Sequence, residues 1–411
     1  MRITAVGDCA IQRNIPKFYD GFEEVKNFIM RGDVRFFNLE TTVCEDCYPA
    51  KYSGGTWLRT NRNIAKDALL YGFNITTCAN NHCMDFSYNG FLQTLENIKS
   101  FGLAPTGGGR TLAEASAPAY IDTPNGRAAV ISCTTTYSPG AEAGEQSRDF
   151  VGRPGVNPIR TNKTVYVRAD DLKALAHIAE ITHINASRDI IRAEGYLPPL
   201  DNDSVEFGDT LFKLGEPSVK FELNAEDMKR IETSIKDALF QADTVLVSVH
   251  SHQIEGESKE NVPEFLRAFA HKCIDSGAHA VIGHGPHLLR PVEIYKGLPI
   301  FYSLGDFLLQ LENCEKVPYD YYIKHGLKPE AGLYEVFKSR TRNFTVGLQR
   351  QRVMMESVVA SFDITDGKLQ DLNFMPLELG LGMPHSQIGL PRCAKDNAIV
   401  DRLSEMSEIK F

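Results

Sequence analysis

An apolar run that ends in a turn carrying two histidines is the feature that most constrains how this chain can fold. Residues 278–282 are apolar except for His279 and predict a buried strand, and the Gly-His-Gly-Pro-His sequence that follows predicts a tight turn. His284 and His287 therefore lie on a short loop at a strand end, where a sheet would hold metal ligands firmly. For an isolated pair, the alternative is that one histidine stabilises the turn and the other is an ordinary loop side chain.

Four more apolar runs end in the same way, which favours the metal site. Strands predicted at 3–6, 34–39, 75–79 and 244–249 are each followed by residues with oxygen or imidazole donors. Strand ends converge at one edge of a sheet in α/β folds, so we expect these side chains to meet there. The donors at the five strand ends are Asp8, Glu40, Asn81, His82, His250, His284 and His287, with His252 as a further candidate.

This donor set contains no cysteine and is typical of sites for hard or borderline metal ions. It predicts one or two divalent ions, which would be Mn, Fe, Zn, Ca or Mg. The alternative is that Asp8 and Glu40 cap helices and that the histidines are core residues with satisfied rings.

A histidine and a carboxylate three residues apart add acid–base chemistry to the third strand end. Asp85 can hold His82 in one tautomer and favour its protonated form. Such a histidine can donate a proton to a leaving group or stabilise a developing oxyanion beside a metal. We expect His82 and Asp85 to be the catalytic pair, and the alternative is a local loop hydrogen bond without catalysis.

Alternating strand and helix patterns predict an α/β fold. A polar stretch over 139–226, with proline and glycine and one predicted helix at 171–181, indicates an insertion or lid rather than an independent domain. The predicted core therefore covers 1–310 and is interrupted by this insertion. Residues 311–411 are expected to form a C-terminal extension that packs on the core.

Charge, hydropathy and cysteine content narrow the class of protein. The formal net charge of -9 argues against a nucleic-acid partner, which would require a basic face. No apolar run reaches the about 18 residues of a membrane span, and no signal peptide is visible. The nine cysteines are an odd number scattered over the chain, which predicts a reducing, cytoplasmic location rather than a disulfide framework.

The order of the motifs resembles the CapA/PgsA family, which is named for bacterial capsule and poly-γ-glutamate synthesis. This family is similar in layout to the calcineurin-like metallophosphoesterases, and the resemblance covers about residues 1–310. It implies a layered β-sandwich flanked by helices. The matching motifs are Gly7-Asp8, Asn38-Leu39-Glu40, Asn80-Asn81-His82-x-x-Asp85, Val249-His250, Gly283-His284-x-Pro286-His287 and Leu304-Gly305-Asp306.

The resemblance also implies roles for the donors. Asp8 would bind one metal, Glu40 would bridge two, and Asn81 and His250 would bind the second. His284 and His287 would divide between the two sites.

This chain departs from the phosphoesterase pattern at three places. Ala10 stands where a histidine is usual, Glu40 replaces the usual bridging Asp, and the last two histidines are three residues apart instead of two. The first metal site is therefore short of nitrogen ligands, so it would hold a harder ion, bind weakly or be empty, unless His252 completes it. Asp306, where many relatives have Asn, is either structural or an additional carboxylate.

An anionic substrate would require cations near the metal. The candidate substrate-binding residues are Arg59, Arg153, Arg160, Arg290 and Trp57, which follows Gly54 and Gly55 in a predicted loop. The alternative is that the arginines form surface ion pairs and that the tryptophan is a packing anchor.

Three functional hypotheses follow. The first is a metal-dependent hydrolase in which an activated water attacks a phosphoester. The second is amide chemistry on a γ-glutamyl or peptide substrate, as hydrolysis, ligation or removal of an α-proton. The third is a non-catalytic accessory protein of capsule polymer synthesis. The expected partner is an anionic small molecule or peptide, and the sequence does not indicate an oligomeric state.

Overall fold

The computed structural model describes residues 1–51, 56–312 and 314–411 and has a mixed α/β architecture, as the sequence predicts. Gly54 and Gly55 of the predicted loop before Trp57 lie outside these ranges. Within these ranges, no helix combines the length and the apolar character needed to cross a membrane.

Two large sheets and one small sheet contain most of the described strands. In spatial order, the first sheet consists of Arg392–Cys393, Lys368–Glu378, Glu356–Thr365, Arg2–Ala10, Val34–Leu39, Ile75–Thr77 and Ala104–Thr106, with Asp306–Leu309 paired to Arg2–Ala10. The second sheet consists of Leu289–Tyr295, Leu298–Leu304, Ala280–His284, Thr244–His250, Gly126–Thr134 and Ala119–Thr123. The third sheet consists of Ser204–Phe207, Thr210–Leu214, Thr161–Val167 and Ser218–Leu223. Two short pairs join Gly108–Gly109 to Gly155–Val156 and Thr42–Val43 to Arg59–Thr60.

Helices lie between these strands in the chain. The described α-helices are Phe22–Ile29, Arg62–Ala65, Ser87–Ser100, Leu112–Ser116, Ala169–Thr182, Ala186–Ala193, Ala225–Leu239, Glu264–Asp275, Tyr319–Lys324, Leu333–Arg340 and Ala398–Ser407. The described 3-10 helices are Lys66–Tyr71, Leu348–Arg350 and Arg352–Met354.

Alternation along the strands gives each large sheet two apolar faces. Ile3 and Phe36 of the first sheet share one buried cluster with Leu246 and Phe301 of the second sheet. On their other faces, the first sheet packs against the helices near residues 22–29 and 87–100, and the second against those near 225–239 and 264–275. Full burial of each such side chain contributes about 1.5–3 kcal/mol, so these clusters hold both sheets and their strand ends in place.

Parallel pairing brings the predicted donors to the same end of each sheet. Asp8 is in register with Asn38 on one side and Asp306 on the other. In the second sheet, His250 is in register with His284. The strand predicted at 3–6 continues to Ala10, so Asp8 lies within the strand and not beyond its end.

The structure also contains elements that the sequence analysis missed. The polar stretch over 139–226 holds a second helix, Ala186–Ala193, and the whole third sheet. The strands of that sheet are short and mostly half-exposed, so they lack a strong apolar pattern.

A close approach of two backbones joins the first and last motifs of the site. The amide of Asp8 donates to the carbonyl of Gly305 at 3.1 Å. A Cβ placed on Gly7 would lie 1.8 Å from that same carbonyl oxygen, so only glycine fits here. This contact fixes Asp8 beside Asp306.

Replacement of Gly7 by alanine should make the protein much easier to unfold. The new Cβ would collide with main-chain atoms that cannot move independently, so we expect Gly7→Ala to lower the free energy of unfolding by about 3 kcal/mol or more. Urea unfolding followed by circular dichroism measures this loss. Gly195→Ala is the control, because a Cβ at that glycine would have no neighbour within 4 Å and only its positive φ disfavours alanine. Its cost should be only about 1 kcal/mol. Similar losses in the two variants would contradict the argument.

Candidate metal centre

Asp8 is a fully buried carboxylate of the site. Its Oδ1 accepts a hydrogen bond from Asn38 Nδ2 at 2.6 Å, and its Oδ2 accepts one from the Gly285 amide at 2.9 Å. Asn38 is itself held by Asn80, whose Nδ2 donates to Asn38 Oδ1 at 2.9 Å. The carboxylate is therefore fixed from both large sheets.

Two histidines of the second sheet face this carboxylate. His250 Nδ1 and His284 Nδ1 are 2.8 Å apart, and they lie 3.7 Å and 3.5 Å from Asp8 Oδ1. Ligand atoms about 2.1 Å from one ion are separated by roughly 3–3.5 Å, so the three atoms match one coordination sphere. The other ring nitrogen of His284 lies 2.8 Å from Ser248 Oγ, which orients the ring.

Glu40 and two further histidines form a second group of donors. His252 Nε2 lies 3.9 Å from Glu40 Oε1, and His287 Nδ1 lies 3.9 Å from Glu40 Oε2. Both oxygens of Glu40 are buried, and neither has a hydrogen-bond partner among the described residues. His287 has a left-handed backbone (φ 63°), which is uncommon for a residue with a side chain and is typical of functional turns.

Asp306 joins the two groups. Its Oδ1 lies 2.9 Å from His287 Nδ1, and its Oδ2 is buried and has no partner in the described chain. Asp306 also belongs to a four-residue group with Asp8, Glu40 and His287 whose donor atoms all lie within 4.8 Å of one another. Of the two readings of Asp306, the geometry favours an additional carboxylate at the site.

The charges at the site are poorly compensated by the protein alone. Burial, followed by the repulsion from Asp8, raises the pKa of Glu40 well above its usual value. Burial also raises the pKa of Asp306 to about 6, although His287 opposes the rise. Burial would raise the pKa of Asp8 too, but the contact with His284 and the nearby imidazoles lower it overall.

The histidines respond to the same surroundings. Burial lowers the pKa of His250 and of His252, which keeps both rings neutral and able to bind metal. Burial would also lower the pKa of His287, but the charges of Asp306 and Glu40 raise it to about 10. A divalent cation would satisfy the unpartnered oxygens of Glu40 and Asp306 and relieve the repulsion among the carboxylates, so the residues present fit a metal.

The third strand end lies next to this cluster. Asn81 Oδ1 is 2.7 Å from His250 Nε2 and 3.3 Å from His252 Nε2. His82 Nδ1 lies 2.6 Å from Asp85 Oδ2, which also accepts the Leu58 amide at 2.8 Å. Burial raises the pKa of the Asp85 carboxyl, and the charge and hydrogen bond of His82 oppose that rise.

The five candidate substrate-binding residues have their contacts elsewhere. Arg59 pairs with Asp46 at 2.5 Å, Arg153 with Glu142 at 3.2 Å and Arg160 with Asp227 at 2.8 Å. Trp57 is buried against Tyr321 and donates to the Lys51 carbonyl. Arg290 is fully buried and donates to two main-chain carbonyls. No hydrogen bond or ion pair joins these five side chains to the cluster in the described ranges, so their role in substrate binding remains a prediction.

The structure brings eight of the predicted residues together and adds three that the sequence analysis left without a role. The eight are Asp8, Glu40, Asn81, His82, His250, His252, His284 and His287, and Asp85 supports His82. The three others are Asn38, Asn80 and Ser248, which orient the donors. These three residues could have been recognised in the sequence, because each is an uncharged polar residue within or just after an apolar strand.

Comparisons with known proteins agree with the motif pattern. The chain is 30% identical over 422 residues to the uncharacterized protein y4sH of Sinorhizobium fredii (strain NBRC 101917 / NGR234), with 99% of this chain and 89% of that protein covered. It is 26% identical over 275 residues to a probable polyglutamine synthesis accessory protein of Mycobacterium tuberculosis (strain ATCC 25618 / H37Rv), with 67% of this chain and 55% of that protein covered. Over 75 residues, 18% of this chain and 19% of that protein, it is 41% identical to the PGA biosynthesis protein CapA of Bacillus subtilis (strain 168).

A match to a family model identifies the family of this chain. The model described as bacterial capsule synthesis protein PGA_cap matches residues 2–311, which is well over half of the chain. The resemblance to the CapA family is thereby confirmed, and the chain belongs to the bacterial capsule synthesis protein PGA_cap family.

Proposed function

We propose that this protein is a metal-dependent hydrolase that acts on a phosphoester. In this proposal, its two facing sheets form the sandwich of the calcineurin-like metallophosphoesterases. One or two divalent ions would be held by Asp8, Glu40, Asn81, His250, His252, His284, His287 and Asp306. The substrate would be an anionic small molecule or peptide.

The unpartnered oxygens of Glu40 carry this proposal. A buried carboxylate without hydrogen bonds costs several kcal/mol, and proteins rarely leave one uncompensated. Both oxygens lie 3.9 Å or less from imidazole nitrogens of His250, His252 and His287. Burial disfavours the protonated form of the first two rings, and His287 pairs with Asp306. Such a group is unfavourable as a purely structural element, whereas it is suited to hold a cation.

The bound ions and the residues around them would have separate roles in the proposed reaction. A bound divalent ion would polarise a phosphoryl oxygen and acidify a water molecule. Asp8 and Glu40 would hold the cations in the interior, and Asn38 and Ser248 orient the ligands Asp8 and His284.

His82 and Asp85 supply the proton in this mechanism. Because Asp85 engages Nδ1 of His82 at 2.6 Å, Nε2 is the nitrogen left to donate a proton. The buried carboxylate of Asp85 holds the ring in place. His82 therefore acts as the acid that protonates the leaving oxygen.

The names of two relatives favour a second function at the same site. These relatives are named for PGA biosynthesis and polyglutamine synthesis. An ion that polarises a phosphoryl oxygen also polarises an amide carbonyl, so hydrolysis, ligation or α-proton removal on a γ-glutamyl or peptide substrate would use the same donors. In either case we propose a role in capsule or poly-glutamate synthesis.

Glu40→Gln should weaken metal binding and, in the metal-free protein, increase stability. The neutral amide of glutamine binds a divalent ion more weakly than the carboxylate of glutamate. After dialysis against buffer with a low concentration of Mn, we therefore expect elemental analysis to find at least one equivalent of metal less in Glu40→Gln than in the unaltered protein. In metal-free protein the same change removes a repelling buried charge, so the free energy of unfolding should rise by about 1 kcal/mol or more. Glu257→Gln, at an exposed position, is the control and should change neither quantity. Unaltered metal content in Glu40→Gln would contradict the proposed role.

His82→Ala should reveal an acid through its dependence on the leaving group. We expect Mn-restored turnover of an alkyl phosphate ester to fall by about 10²–10⁴-fold, because an alkoxide must be protonated as it leaves. Turnover of p-nitrophenyl phosphate, whose leaving group is stable as an anion, should fall much less. Metal content measured in parallel must match the unaltered protein. Equal losses for the two esters would show that His82 is not the acid.

The amide alternative has its own readout. Cleavage of a γ-glutamyl peptide, or uptake of deuterium at its α-carbon, would be followed by mass spectrometry in the metal-loaded protein. Such activity together with no turnover of any phosphoester would replace the first function by the second.

A further inference from the structure

The third sheet has an edge strand whose backbone faces an open groove. This strand, Ser218–Leu223, pairs with Thr161–Val167 on one side and with no described strand on the other. The groove on that second side is lined by the successive residues 219–223 of the strand. Successive residues of a strand point to opposite faces of the sheet, so a groove that touches all of them follows the backbone edge. A further strand in this groove can therefore pair with the edge.

The hydrogen-bond pattern identifies the backbone groups that face this groove. The Asn224 amide donates to the Arg160 carbonyl at 2.9 Å and so continues the antiparallel ladder beyond the strand. In such a ladder, hydrogen-bonded and non-hydrogen-bonded pairs alternate, so every second residue back from Asn224 bonds to the neighbouring strand. The residues between them, whose amides and carbonyls point outward, are Val219, Phe221 and Leu223. None of these outward groups has a hydrogen-bond partner in the described part of the chain.

The sequence of this strand is complementary to itself. Two copies that pair antiparallel about Phe221 place Lys220 of each copy opposite Glu222 of the other. The same register places Val219 opposite Leu223, and the outward amides and carbonyls of one copy meet those of the other. A register shifted by one residue at its centre would place lysine opposite lysine or glutamate opposite glutamate, which charge repulsion disfavours. The charges therefore select one register.

The side chains of this edge are available for such a contact. Lys220 and Glu222 are exposed, and neither forms an ion pair within the described ranges. The Lys220 ammonium lies 5.4 Å from the centre of the Tyr166 ring, on the outer face of the sheet. On the opposite face Val219 is 52% exposed, and an incoming apolar side chain there would meet Phe265, which lines the same groove. A charge on an edge strand usually prevents pairing, whereas an opposite charge on the incoming strand favours it.

We propose that two copies of this chain associate through this edge, with their strands Ser218–Leu223 paired antiparallel about Phe221. The two four-stranded sheets then form one sheet of eight strands. One strand pair buries less surface than a permanent dimer interface, so the association is reversible and depends on concentration. The inference is independent of the proposed function, because none of the residues that carry it is a candidate metal ligand or catalytic residue.

Charge reversal tests the register. Lys220→Glu places glutamate opposite glutamate at both charged pairs, so we expect the dimer Kd from sedimentation velocity to rise at least about tenfold. Glu222→Lys should have the same effect through lysines. A mixture of these two single variants should dimerise again, because each strand then meets the opposite charge. Lys229→Glu is the matched control, since it makes the same change at an exposed position of the helix Ala225–Leu239 and should leave the Kd unchanged.

Val219→Pro tests the backbone pairing without a change of charge. The Val219 amide points outward, so proline removes no ladder hydrogen bond within one copy, and the circular dichroism spectrum should be unchanged. The amide is needed by the partner strand, so we expect the dimer Kd to rise at least about tenfold. Val219→Ala keeps the amide and should weaken the dimer much less. An equal Kd in these two variants would show that the backbones do not pair.

Three further results would overturn the inference. The first is an unaltered protein that remains monomeric at concentrations up to about 100 μM. The second is a dimer whose Kd is the same in Lys220→Glu and in the unaltered protein, which would place the interface on another surface. The third is a mixture of Lys220→Glu and Glu222→Lys that remains monomeric, although each variant alone has the circular dichroism spectrum of the unaltered protein.

Discussion

The hydrogen bond from the Gly285 amide to Asp8 is the contact on which the geometry of the site depends. Asp8 belongs to the first sheet and Gly285 follows the last residue of a strand in the second, so this bond of 2.9 Å joins the two sheets at their donor-bearing edge. A hydrogen bond to a buried carboxylate contributes about 1.5–3 kcal/mol, more than a bond between neutral groups. The same carboxylate is also a donor to the candidate metal, so the fold and the site share one group.

The apolar clusters keep the carboxylates of the site close together in the interior. They hold the two sheets at a fixed separation, and the donors therefore cannot move apart to relieve their mutual repulsion. Asp8 is compensated by hydrogen bonds, whereas Glu40 and Asp306 keep unpartnered oxygens. The rest of the structure thus imposes an unfavourable arrangement of charge, which a divalent cation would turn into a favourable one.

Much of the site follows from the sequence because strand ends obey a simple rule. Asp8, Glu40, His250 and His284 each come at the end of a strongly apolar run, and parallel strands place such residues at one edge. The division of donors into groups does not follow, because it depends on distances between two separate sheets. His252 groups with Glu40, for example, although it is two residues past its strand.

Other parts of the fold could not be predicted, because their local sequence has no clear hydrophobic pattern or does not specify a pairing partner. The strand Glu356–Thr365 pairs with Arg2–Ala10 across almost the whole length of the chain, and no pattern in either strand specifies that partner. The third sheet was missed because its residues are mostly half-exposed and its strands have four to seven residues. Periodicity identifies a strand by its buried face, and these strands bury little.

The departure of the last motif from the phosphoesterase pattern has a physical cause in the neighbouring loop. Gly285 has a φ of 119°, and a Cβ there would lie 2.9 Å from the backbone nitrogen of Ser251. The Ser251 amide donates to the His284 carbonyl at 2.9 Å, so the loop after His250 runs directly over this glycine. A histidine at position 285, which would restore the usual two-residue spacing to His287, is therefore excluded. His252 lies on that same loop and brings an imidazole to Glu40, so the loop that prevents the usual spacing also contributes a donor of its own.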